Sequence, residues 1–136
     1  MTGYDVTIPA CVAAWIEANM PELGGLRGVR VRCCRALPFQ WLPGFMPGVV
    51  GITLWDTIYL KGASCTIDPA SLESMELLFH ELVHVGQFRR GRLTFPIRYL
   101  IALARVGYWR IPAEQEARER AAELVARYRF EGPCAS

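Results

Sequence analysis

This chain of 136 residues has only two histidines, a single lysine (Lys61) and almost no net charge, +2. So small a net charge gives no argument for nucleic acid as a partner, and none is expected. CxxC pairs and zinc-ribbon spacings are also missing. The five cysteines (Cys11, Cys33, Cys34, Cys65 and Cys134) are odd in number, and two are adjacent. The opening residues, Met1 to Asp5, do not resemble a secretory signal. Together these absences predict a reducing, cytoplasmic setting. No apolar run is long enough to span a bilayer; the longest, Phe95 to Trp109, is interrupted by Arg98 and Arg105. It reads as a buried helix rather than a membrane-surface one, and a membrane is not an expected partner. There is no internal repeat and no low-complexity segment.

What is present suits one folded domain covering residues 1–136. Apolar residues make up 52% and charged residues 21%, and a chain of this length can bury a core without needing disulfides. Val12, Trp15 and Ile16 recur at helical spacing and predict a helix over about Pro9–Asn19. Val29 to Cys33 alternates like a strand with one face buried. Pro38 to Gly48 reads as an irregular apolar loop, placed either against the core or at the rim of a cleft. Two short strands are predicted around Val49–Leu54 and Thr57–Lys61, turning at Trp55-Asp56. Then the chain becomes helical. Asp68-Pro69 suits a cap followed by a first-turn proline, so a helix is predicted from there to about Arg90, ending at Gly91. Further helices are expected near Pro96–Gly107 and Pro112–Phe130. The order is α+β: a small sheet of about three or four strands on one long helix, with two C-terminal helices.

Both histidines stand in one pentapeptide, His80-Glu81-Leu82-Val83-His84. On a helix this spacing sets the two imidazoles one turn apart on the same face, close enough to share a metal ion. The intervening Glu81 is placed to take a proton from a metal-bound water. On this helix Met75, Leu78, Phe79 and Leu82 form the buried stripe, and the histidines lie beside it, at a boundary between core and solvent.

A catalytic zinc takes three protein ligands and leaves a position for water. No third histidine exists, which excludes the metzincin arrangement, so a carboxylate must complete the set. The last helix offers Glu114, Glu116, Glu119 and Glu123. At about 100° per residue, Glu114 falls within the apolar stripe of Ala117, Ala121, Leu124, Val125 and Tyr128. Glu116 falls opposite, where it would pair with Arg120. A buried glutamate is costly unless its charge is compensated, and a metal on His80 and His84 would do so. Glu114 is therefore the chosen third ligand and Glu116 the fallback. Without a metal, the helix dipole or Arg118 one turn on would have to neutralise Glu114.

The run from His80 to Phe88, followed by Glu114-Gln115-Glu116-Ala117, resembles the gluzincin class of zinc metallopeptidases. It is closest in style to small bacterial zincin-like domains, many of uncharacterised function. That resemblance implies one zinc on His80, His84 and Glu114, with Glu81 as the base. The class often continues Glu-x-x-Ala with Asp or Asn, which orients a zinc-bound histidine; Arg118 stands there instead.

The function expected is zinc-dependent hydrolysis of peptide (amide) bonds in a peptide or protein substrate. Tyr108, Tyr99 and Arg118 are candidates to stabilise the tetrahedral intermediate. In zincin folds an extended peptide lies along an edge strand, which the segment Ile52–Leu60 resembles, and the aromatic loop from Phe39 to Phe45 would line a specificity pocket. The alternative is a zincin scaffold that keeps its metal but works as a protein-interaction module.

Overall fold

The computed structural model describes residues 3–39 and 49–135. The predicted loop from Pro38 to Gly48, and with it the proposed aromatic pocket, lies outside the described residues except for Pro38 and Phe39.

The α+β order holds. Strand β1 (Gly3–Val6) leads into helix α1 (Ala10–Asn19), followed by β2 (Arg30–Cys34), β3 (Gly51–Leu54) and β4 (Thr57–Lys61). Three helices complete the chain: α2 (Leu72–Arg90), α3 (Thr94–Val106) and α4 (Pro112–Glu131). The sheet runs β1-β2-β4-β3. The outer pairs are antiparallel and β2 runs parallel to β4. Strand β1, only four residues long and largely exposed, stands ahead of α1 where no strand is predicted.

One face of the sheet, with Val31, Ile58 and Leu60, packs against the helices in a single core. Alternation explains β4, where Ile58 and Leu60 point inward between half-buried neighbours. The stripe predicted on α2 is buried, and it meets Val12, Trp15 and Ile16 from α1 and Ala117, Ala121, Leu124 and Tyr128 from α4. Trp15 stacks against both Phe79 and Tyr128, with ring centroids 5.3 Å apart in each case.

The hairpin between β3 and β4 turns at Trp55, whose φ of 56° is unfavourable for a large side chain. Tertiary contacts hold it there. Its indole nitrogen donates to the Arg92 carbonyl at 2.8 Å, and its ring lies against Phe88. Beside it, Arg89 donates to Asp56 and to the carbonyls of Leu23, Gly25 and Arg27, clamping the end of α2 to the hairpin turn.

Three expectations are corrected. Helix α2 begins three residues later than predicted, with Ser71 as its cap: the Ser71 hydroxyl accepts from the Ser74 amide at 3.2 Å. Asp68 instead folds its carboxylate onto the Ala70 amide, making a turn ahead of the helix. Second, four of the five cysteines are paired, Cys11 with Cys134 and Cys33 with Cys65, leaving Cys34 as a buried thiol. The odd count and the adjacent pair concealed a partner for each that lies far away in sequence. Third, α3 is not a buried helix. None of its residues is fully buried, and Ile97, Leu100 and Ile101 are exposed. Among the described residues, no helix is long and apolar enough to cross a membrane.

Candidate metal centre

The histidines sit in the middle of α2, and the first turn of α4 crosses in front of them. The Pro112 start of α4, fixed in φ at the first helical turn, places Glu114 in that turn. Its carboxylate points back at the rings. His80 Nε2 lies 3.1 Å from Glu114 Oε1, His84 Nε2 lies 3.2 Å from the same oxygen, and the two Nε2 atoms are 3.2 Å apart. These three side chains form a group that could hold a metal ion.

The near-equilateral triangle is informative. Zinc holds nitrogen and oxygen ligands at about 2.0–2.1 Å in a tetrahedron, which sets its ligands roughly 3.3–3.4 Å from one another. Hydrogen bonding alone explains the triangle less well. Each Nε2 carries at most one proton, so it cannot serve both its neighbours at once.

An outer partner fixes the orientation of the His84 ring. His84 Nδ1 lies 2.7 Å from Gln87 Oε1, so an Nδ1–H donating to the amide leaves Nε2 free to ligate. The Gln87 amide nitrogen donates in turn to the Ala113 carbonyl and to Glu116, at 3.1 and 2.9 Å. Gln87 thus holds the His84 ring from α2 and ties it to the start of α4. It follows His84 by three residues and His80 by seven, so helical periodicity sets it on the same face. That was the available signal, a lone amide in an apolar run.

Glu114 is nearly fully buried. Burial would raise its pKa, but the hydrogen bonds to His80 and His84, the His84 charge and the Tyr99 hydroxyl together hold it well below the usual carboxylate range. Burial would likewise lower the His84 pKa, yet Glu114 above all, with Glu81 and Gln87, pushes it up to about 9. Tyr99 from α3 donates to Glu114 Oε2 at 2.7 Å, and Tyr108 donates to Oε1 at 3.3 Å. Burial and the Glu114 charge raise both phenols well above their ordinary value, so they stay neutral donors.

Glu81 points to the other side of the histidine row, toward the sheet. It is only 4% exposed, and the Thr53 hydroxyl on β3 donates to its Oε2 at 2.6 Å. Nothing in the sequence singled out Thr53. A side chain at Gly51 would bring a Cβ to 3.2 Å from Glu81 Oε1, so the bare glycine leaves the carboxylate its room.

Of the residues named from sequence, His80, His84 and Glu114 come together, with Tyr99 and Tyr108 beside them. His84 is buried rather than at the boundary, because α2 is covered on all sides from Glu81 to Phe88; His80 alone is partly exposed. Glu116 lies outside the triangle. It pairs with Arg90 at 3.2 Å and not with Arg120, which turns to Glu22 and Glu123. Arg118 neither neutralises Glu114 nor enters the site: it donates to the Trp109 carbonyl and lies over the Trp109 ring. The expected edge segment resolves into β3, which is an edge strand, and β4, which is interior. No known protein family, curated protein or solved structure matches the chain.

Proposed function

We propose that this protein is a zinc-dependent hydrolase of peptide (amide) bonds, a member in style of the zincin group, with His80, His84 and Glu114 as ligands and Glu81 as the general base. The triangle of two Nε2 atoms and one carboxylate oxygen carries the reading. A bound zinc would polarise a substrate carbonyl and make water more acidic. Glu81 accepts the proton of the attacking water and passes it to the leaving amine. Thr53 keeps the Glu81 carboxylate aimed while it does so. Tyr108, on the weaker of the two phenol bonds, is the hydroxyl we assign to the substrate oxygen as it gains charge. Strand β3 pairs only with β4 among the described strands, so its outer edge is free to take an extended peptide by main-chain pairing. The paired cysteines favour an oxidising compartment over the cytoplasm.

The test is elemental analysis together with chelator-sensitive cleavage of an unfolded protein such as casein. The expected content is about one zinc per chain. His84→Ala loses the metal, and Glu114→Gln weakens it far more than Glu116→Gln. Glu81→Gln keeps the zinc and abolishes cleavage; loss of zinc in that variant would overturn the role given to Glu81. The second reading, a zinc-bearing scaffold that binds a partner protein, is favoured by the burial of Glu81. Zinc retention without cleavage of any peptide library would select it.

A further inference from the structure

Helix α3 joins α2 to α4 across one wall of the metal centre, with Phe95 and Tyr99 turned inward. Its opposite side is left exposed among the described residues. Leu93, Ile97, Leu100 and Ile101 are 74%, 59%, 63% and 51% exposed. At about 100° per residue, these four and Ala104 form one continuous outward strip. Trp109, 62% exposed, follows just beyond the helix. A soluble surface seldom shows so many large apolar side chains side by side without a use for them.

The charges around this strip are of one sign. Between Leu82 and Ala113 there is no aspartate or glutamate, whereas there are six arginines. Arg89, Arg90 and Arg92 are paired with Asp56 or Glu116. Among the described residues Arg98 and Arg105 make no ion pair; seven residues apart, they flank the apolar strip along one side of α3, and Arg110 follows. We propose that the outward face of α3 is a docking surface for an anionic lipid bilayer. The helix would lie in the plane of the interface, its aliphatic strip among the acyl chains and Arg98 and Arg105 at the headgroups. Trp109 has the amphipathic ring favoured at that depth. The charge pattern disfavours a second copy of the chain as occupant. A two-fold contact would press the same arginines against one another with no carboxylate in the segment to meet them.

The face is separate from the metal ligands, so this inference stands or falls apart from the hydrolase reading. The test is co-sedimentation of the full chain with vesicles of equal parts phosphatidylcholine and phosphatidylglycerol, compared with phosphatidylcholine alone. Binding is expected to the anionic vesicles only and to be reversed by high salt. Replacing both arginines (R98Q with R105Q) should weaken it by roughly thirtyfold, from the gain that each cation makes near an anionic surface. Leu100→Ser with Ile101→Ser should weaken it at least about tenfold by removing inserted apolar surface. All four positions are exposed, and an unchanged far-UV circular dichroism spectrum checks that the variants fold. Failure of the natural chain to bind anionic vesicles overturns the proposal. So does binding that these variants leave unchanged, or concentration-dependent self-association that Leu100→Ser abolishes while vesicles stay unbound.

Discussion

The two nitrogens of the His84 ring face different partners, and the difference has a pH signature. Nδ1 meets the Gln87 amide oxygen at 2.7 Å, while Nε2 meets Glu114 at 3.2 Å. Without metal, burial works against the charged ring, but Glu114 outweighs it, so His84 holds its proton up to about 9 against 6.5 in the unfolded chain. A group whose pKa rises on folding stabilises fully below its unfolded value and loses that contribution as pH climbs through its folded value. Glu114 has the opposite sign: its contribution is present above 4.5 and is lost only as pH falls through its depressed folded value. The metal-free protein is therefore expected to lose melting temperature between pH 6.5 and about 9. The zinc-loaded protein should not, because the metal has replaced the proton on Nε2. Over the same window, zinc affinity should rise by up to about tenfold per pH unit for the one proton released. Thermal melts with chelator and zinc titrations at several pH values check both. A flat affinity across that window would mean that His84 does not carry the displaced proton.

At the scale of elements, the long amphipathic pieces were legible because their periodicity is local. Helices α1 and α4 have the predicted buried stripes, and the Glu114 side of α4 was readable for the same reason. Strand β1 was not, since three of its four residues are exposed and its place is set mainly by pairing with β2. Helix α3 misled because an apolar segment reads the same whether it is covered by protein or left bare. The start of α2 was misplaced because Asp68-Pro69 and Ser71 both satisfy the capping pattern, and only the turn geometry separates them. Gln87 belongs to this scale too. It stands on α2 as a strut, its amide nitrogen reaching the Ala113 carbonyl and Glu116 on α4 while its oxygen holds His84. Gln87→Ala should weaken zinc binding about 10- to 100-fold, the usual cost of losing a partner behind a ligand. Zinc titration of the folded variant reads this, and an unchanged affinity would reduce Gln87 to a packing residue.

For the whole molecule, the two disulfides close the chain in ways no local pattern could reveal. Cys11 on α1 joins Cys134 just beyond α4, 123 residues apart, so the first helix is fastened to the end of the last one. Cys33 on β2 joins Cys65 after β4, a loop of 32 residues that locks the parallel pair at the centre of the sheet. Loops of these lengths restrict the unfolded chain enough to stabilise the folded one by roughly 3–5 kcal/mol each. Neither cross-link includes a residue of α2, so the metal triangle does not depend on them for its ligands. After oxidative preparation, the denatured, unreduced protein should expose one reactive thiol, that of Cys34, which is buried in the native state. Reduction should lower the denaturation midpoint sharply, yet leave the metal stoichiometry of the still-folded fraction unchanged. Five thiols titrating in the unreduced, denatured chain would show that the pairs do not form. That result would support the reducing compartment expected from the cysteine count.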